Sequence, residues 1–304
     1  MGSGYNRNTD HSVNNVHSGI TGVPASDAVE ESFREYTLSD ADPVTPDAGS
    51  LEIDRELSAG GSAGNLPKWL LRDSCGTLYY AKGRSKPGAF EPEAEVCAYR
   101  IARLFGMPAI KYDFAFLPEL SEELVCLCRD YTRKLKVMSL FRYVQGVTGV
   151  NPASVWDGRA KYDLVTGVLP APDREKHNAI LFLDYIVGNK DRHLRNFDCW
   201  VRADGSIIGL VPVFDTGDSL FASEPETEIL RACKSGNNFI HSKPYMNPHL
   251  AQLKMLQDIG HVPSLVNVGR DSIEAVINSC FIGKRAKHLS QYVCNNVSRL
   301  GLIL

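Results

Sequence analysis

Ile186-Val-Gly-Asn-Lys-Asp-Arg-His-Leu-Arg-Asn-Phe197 follows an amphipathic-to-buried helical stretch, 173–187, and precedes a β-rich run. Its polar side chains therefore sit on a loop held by a rigid element on each side. Asp191 and Asn196 are five positions apart. In phosphoryl-transfer loops that separation sets a carboxylate beside an incoming hydroxyl and an amide oxygen on a metal ion. Asp and Asn are also ordinary turn formers, so the loop takes its meaning from what surrounds it.

Directly after an expected hairpin (strands 197–202 and 206–213 around Ala203-Asp204-Gly205) comes Val213-Phe-Asp-Thr-Gly-Asp-Ser-Leu220. Asp215 is expected to end a strand, with Gly217 two residues on, giving a metal-binding carboxylate on a turn able to approach phosphate. Upstream, alternation in Leu78-Tyr-Tyr-Ala-Lys82 directs Tyr80 and Lys82 to one strand face. Glu95 in the following helix is the expected partner of Lys82, with Glu93 the reserve. The two acids lie about 200° apart on a helix, so one of them faces the sheet. The turn Gly60-Gly-Ser-Ala-Gly64 offers backbone N–H groups that can cover phosphates.

The 304 residues allow one large domain or two smaller ones. Hydrophobic residues are 43%, charged residues 23% and the net charge is −3, the balance of an ordinary globular protein and not of a nucleic-acid binder. No apolar run approaches the roughly 18 residues that span a bilayer, and the N-terminal stretch lacks the hydrophobic core of a secretory signal. A cytosolic protein is the expectation. Eight scattered cysteines with no CxxC pair predict core thiols in a reducing compartment rather than a zinc site.

Residues 1–50 hold two basic residues, Arg7 and Arg34, against eight acids, and few large apolar side chains. Residues 1–48 are read as a disordered or loosely attached arm with a short helix near Glu30–Tyr36. Taking those charges from the totals of 33 and 36 leaves 31 basic against 28 acidic residues in the remainder, or +3. From 49 to 131 the order is β-β-α-β-β, with strands at Lys68–Arg72, Thr77–Gly83, 110–117 and 123–131 and a helix at Pro92–Phe105. From 132 to 304 the chain is helical around the single hairpin, with helices at 173–187, 248–258, 270–281 and 284–299. The predicted class is α+β: a small β-rich lobe followed by a larger α-helical lobe.

Asn189-Lys-Asp191-Arg192-His193-Leu-Arg-Asn196 resembles the N-x-D-R-H-x-x-N catalytic loop of the HipA-like family of bacterial serine/threonine kinases. Asp215-Thr-Gly217 is similar to that family's metal-binding segment, and Gly64-Asn-Leu-Pro67-Lys68 to its G-x-x-P-K element. Ser242-Lys243-Pro244 resembles a C-terminal-lobe element of compact members. The resemblance spans roughly 51–304. It implies a two-lobed protein-kinase-like fold and Mg-assisted transfer from ATP, with Asp191 as base, Asn196 and Asp215 on Mg²⁺, and Lys82 on the phosphates. Gly61, Ser62, Gly64 and Lys68 would help bind ATP; Asn189, Arg192 and His193 would support the loop. It further implies autophosphorylation in the glycine-rich loop, at Ser62 or Ser58. The absence of the family's additional N-terminal subdomain points to the compact, HipT-type branch.

By the same resemblance the acceptor is a protein, such as an aminoacyl-tRNA synthetase or another translation factor. An antitoxin-like partner is implied, with neither direct nucleic-acid nor membrane binding, and a bacterial cytoplasmic location or export as an effector. Two alternatives stand beside this reading. One is a catalytically silent module that acts by binding a protein partner. The other is a lipid kinase, because the D-R-H order also resembles phosphoinositide kinases; a core charge of only +3 gives that reading no basic membrane-facing cluster.

Overall fold

The computed structural model describes residues 50–57, 66–118, 121, 124–132, 135–235 and 239–302. The expected arm at 1–48 with its expected short helix, and the expected glycine-rich turn with Ser58, Gly61, Ser62 and Gly64, lie outside them.

An antiparallel sheet is formed by β1 (Glu52–Leu57), β2 (Lys68–Arg72), β3 (Leu78–Lys82), β4 (Asp113–Phe116) and β5 (Leu124–Arg129), ordered β1-β2-β3-β5-β4. β2 and β3 make the expected hairpin. Asp73 Oδ1 closes it by accepting from the amides of Cys75 and Thr77 at 2.9 and 2.7 Å. Alternation sorts the side chains: Leu71, Tyr79, Ala81, Val125 and Leu127 fill one buried cluster, while Cys126 and Cys128 join Val96 and Tyr112 in another. Lys82 stands opposite Cys126 in the register, on the second face.

The sequence reading missed β1, so the order is β-β-β-α-β-β. Glu-Ile-Asp-Arg-Glu-Leu has little apolar alternation, and the strand exists through its backbone pairing with β2 at the open edge, where polar side chains are at home. Helix α1 (Glu91–Leu104), opened by two acids and Pro92, packs on β4 and β5 and also on the later helix Arg270–Asn278. It thereby belongs to both halves of the molecule.

In the second half, β6 (Lys136–Ser139), β7 (Asp198–Val201) and β8 (Ile207–Leu210) form a three-stranded antiparallel sheet. Around it are α2 (Leu140–Thr148), α3 (Gly158–Gly167), α4 (Ala171–Val187), α5 (Glu226–Ser235), α6 (His249–Asp258), α7 (Arg270–Asn278) and α8 (Gly283–Arg299). β6, α2, α3 and α5 had no counterpart in the sequence reading. They are short, with four residues in β6 and nine or ten in each helix, so each offers few repeats of its pattern. Their capping signals were nevertheless present: Ser139 Oγ accepts from Arg142 N, and Asp157 Oδ1 from Ala160 N.

A second correction concerns Asp215. β8 stops at Leu210, Val213 makes only an isolated bridge to Ala109, and Asp215 lies beyond it at φ 55°, in an irregular segment and not at a strand end. The central element is α4, buried continuously from His177 to Val187 and packed against α6 and α8. Among the described residues, no helix is long and apolar enough to cross a membrane.

Candidate active site

α4 ends at Gly188, whose φ of 67° places it in the left-handed region while its amide donates to Asp184 O. The chain then turns into the loop 189–197. Asp184, fully buried, faces Arg192, which is 1% exposed, with Nε 3.0 Å from Oδ2. Asn189 Nδ2 donates to Asp184 Oδ1 at 2.8 Å. Burial pushes the Asp184 carboxyl up, and the Arg192 guanidinium and the Asn189 amide pull against it. Arg192 Nη1 also donates to the carbonyls of Asn196 and Phe214, at 2.7 and 2.8 Å. One guanidinium thus ties the helix end, the loop and the Asp215 segment together. Backbone bonds add to this, from Lys190 N to Asp218 O and from Leu220 N to Val187 O. His249 Nε2 donates to Asn189 O at 2.8 Å from α6, and burial holds its pKa down to about 4, so the imidazole is neutral.

Asp191 sits at the loop's outer edge with its side chain 44% exposed. Its oxygens face Lys243 Nζ at 2.7 Å and His193 Nε2 at 3.9 Å. Asn196 Nδ2 donates to Asp191 O at 2.9 Å, which turns the amide oxygen of Asn196 the other way.

Across the cleft, Lys82 Nζ lies 2.7 Å from Glu95 Oε1, 2.9 Å from Asp215 Oδ1 and 3.3 Å from Tyr112 Oη. Glu95 Oε2 accepts from both the amide and the hydroxyl of Thr216, each at 2.8 Å. Glu93 pairs instead with Arg84, at 2.5 Å. Burial opposes charge on Lys82 and Asp215 alike, and each outweighs it for the other. Lys82 is raised well above the usual lysine range, and Asp215, which also feels Lys68, is held well below the usual carboxylate range. Lys68 faces Lys82 directly across β2 and β3; burial, then that like charge, lowers its own pKa.

Lys68, Lys82, Asp191, His193, Asn196 and Asp215 all line one cleft of about 660 Å³, a volume suited to a nucleotide. Glu95 lies behind Lys82, and Asn189 and Arg192 lie beneath the loop, both buried. Gly217 reaches the cleft on the side of Glu95 and Glu91, where an added Cβ would make only ordinary contact at 3.5–3.6 Å. Sequence reasoning missed Tyr112, Tyr131, Phe214 and Asp198, which also line the cleft, and Asp184 beneath it. Tyr131 and Phe214 stand 5.3 Å apart as a tilted pair, an apolar surface fit for a planar base. Burial, with Asp215 adding to it, pushes Asp198 up to about 6, while the Tyr131 hydroxyl opposes the shift. Asp184 alone had left a signal, a charge inside an otherwise apolar helical run.

The donor set suits a hard divalent cation. A carboxylate held ionised and an amide oxygen, opening on one cleft, are the few protein oxygens that Mg²⁺ takes alongside water and substrate phosphates.

This architecture is a two-lobed, kinase-like fold. Among solved structures the chain is similar to the crystal structure of a Helicobacter pylori proinflammatory kinase, CtkA, with a TM-score of 0.59 and 14% identity over 82% of this chain and 92% of that one. No protein-family model and no curated protein sequence matches the chain.

Proposed function

We propose that the chain is an ATP-dependent protein serine/threonine kinase of the HipA-like kind, in its compact, HipT-type form. The observation that carries this reading is Lys82, buried between Glu95 and Asp215 on the same cleft as Asp191 and Asn196. A cluster of three charges, two of them buried and the third opening on a cavity, is costly to maintain and is characteristic of sites that bind charged ligands.

In this reading Lys82 and Lys68 meet the phosphates, and the Tyr131–Phe214 surface receives the base. Asn196 and Asp215 would hold Mg²⁺, which supplies neutralisation of phosphate charge. Asp191 accepts the proton of a serine or threonine hydroxyl. Arg192 and Asn189 keep Asp191 and Asn196 in register with Asp215, since phosphoryl transfer is chiefly positioning and charge stabilisation.

The test is incubation with Mg²⁺ and γ-labelled ATP beside an Asp191→Ala variant. Label should enter protein with the wild type, and Asp191→Ala should lose at least about 100-fold in rate while still binding ATP. Equal absence of label in both would favour the silent binding module.

A further inference from the structure

Resting on the kinase reading above, we propose that Lys243 is a catalytic cation. Its ammonium meets the Asp191 carboxylate; once an acceptor hydroxyl occupies that carboxylate, it donates to the transferred phosphoryl group.

Lys243 comes from the segment between α5 and α6, 52 positions beyond Asp191, yet its Nζ lies 2.7 Å from Asp191 Oδ1. Both side chains are about 40% exposed, at 39% and 44%, so the pair adds little to stability. The backbone that presents it is nevertheless built with care. Gln252, fully buried on α6, donates from Nε2 to Lys243 O at 3.2 Å, and its Oε1 accepts from Tyr245 N at 3.1 Å. Ser242, 3% exposed, donates from Oγ to Met246 O, and its amide donates to Asn247 Oδ1. The same helix fastens the catalytic loop through His249 and Asn189. Buried polar bonds thus set the base of the Lys243 stem relative to Asp191, while the ammonium at its tip is left half in solvent. A fixed base with a mobile tip serves a charge that must move from a carboxylate to a ligand.

Three other cations nearby are committed. Lys82 is held by Glu95 and Asp215, Arg192 is buried on Asp184, and Lys190 lies between Asp218 and Glu224. Of these four, Lys243 is the one whose charge meets the proposed base. In the transfer, the hydroxyl oxygen bonds to the γ-phosphorus. The bond from that phosphorus to the β–γ bridging oxygen breaks, and its electron pair leaves with ADP. The hydroxyl proton passes to Asp191. Lys243 stays protonated and stabilises charge on the phosphoryl oxygens.

Wild type, Lys243→Met, Lys243→Arg and Asp191→Ala are compared with Mg-ATP and dephosphorylated casein as a generic acceptor, reading kcat and KM for ADP formation, label transfer, and Kd for Mg-ATP by calorimetry. Lys243→Met should lower kcat about 100-fold with Kd for Mg-ATP changed less than about threefold, and Lys243→Arg should recover at least about a tenth of wild-type kcat. Wild-type kcat in Lys243→Met beside an inactive Asp191→Ala removes Lys243 and leaves the kinase reading standing. Absence of turnover in wild type and Asp191→Ala alike overturns that reading and this inference with it. Should Lys243→Met melt early or lose Mg-ATP binding, Lys243→Arg decides: an inactive but folded Lys243→Arg overturns the catalytic role.

Discussion

Glu93 and Glu95 show how much a single helical position decides. They differ by two residues on α1 and both are buried, yet Glu95 turns to Lys82 and Thr216 and Glu93 to Arg84. The 200° step between them was legible in the sequence; the Thr216 contact was not, because it joins positions 121 apart. Removing the ammonium leaves two carboxylates, Glu95 and Asp215, without the cation between them. Mg-ATP at 100 times its Kd should raise wild-type stability by about 2.7 kcal/mol. Lys82→Met should lose that ligand-induced rise in Tm, whereas Glu95→Gln, which keeps an acceptor for Thr216, should retain part of it. Thermal melts with and without Mg-ATP check this, and an undiminished rise in Lys82→Met would remove Lys82 from the site.

At the scale of elements, α4 was readable from its apolar run, and the structure ends it at Gly188. What the sequence did not disclose is how closely α8 approaches that glycine. A Cβ on Gly188 would meet Tyr292 Oη at 2.4 Å, and the φ of 67° is itself unfavourable for other residues. Gly188→Ala should therefore destabilise by about 2–4 kcal/mol and displace the loop that begins at Asn189. Urea unfolding measures the first and kcat the second; a cost below about 1 kcal/mol would show that Tyr292 yields. β1 and β6 make the opposite point. Their sequences carry weak alternation, and each becomes a strand because a neighbouring edge accepts it.

Across the whole molecule, two buried histidines link the helical half to the loop. His177 on α4 stacks on Phe197 at 4.9 Å, and His249 on α6 holds Asn189. Burial lowers each pKa from 6.5 to about 4. The unfolded chain takes up these protons near 6.5 and the folded protein only near 4. Their stabilisation is thus complete above 6.5 and is lost as pH falls from 6.5 to 4, by up to about 3 kcal/mol each. Asp198, raised to about 6, acts oppositely, since its folded form binds a proton first on acidification. Asp184 and Asp218, also raised by burial, act in the same direction as Asp198, so the histidines' share is read from a comparison with a histidine variant. In urea unfolding from pH 7.5 to 4.5, wild type should lose more stability on acidification, or gain less, than His249→Gln, which keeps a donor to Asn189. An identical pH profile in the variant would exclude His249 as a contributor.

The sequence by itself determined the α+β class, the β2–β3 hairpin, α1, α4 and α6–α8, and the chain order of Lys82, Glu95, Asp191, Asn196 and Asp215. Those follow from alternation, helical periodicity and short spacings, all of which act over a few residues. Tertiary structure decided that Asp215 stands at φ 55° beyond any strand, that Asp184 and Arg192 form a pillar under the loop, and that Lys243 reaches Asp191. These contacts depend on how α6 and α8 pack on α4 and how α1 bridges the two halves. No local pattern encodes them, because burial and close packing join residues that the chain keeps far apart.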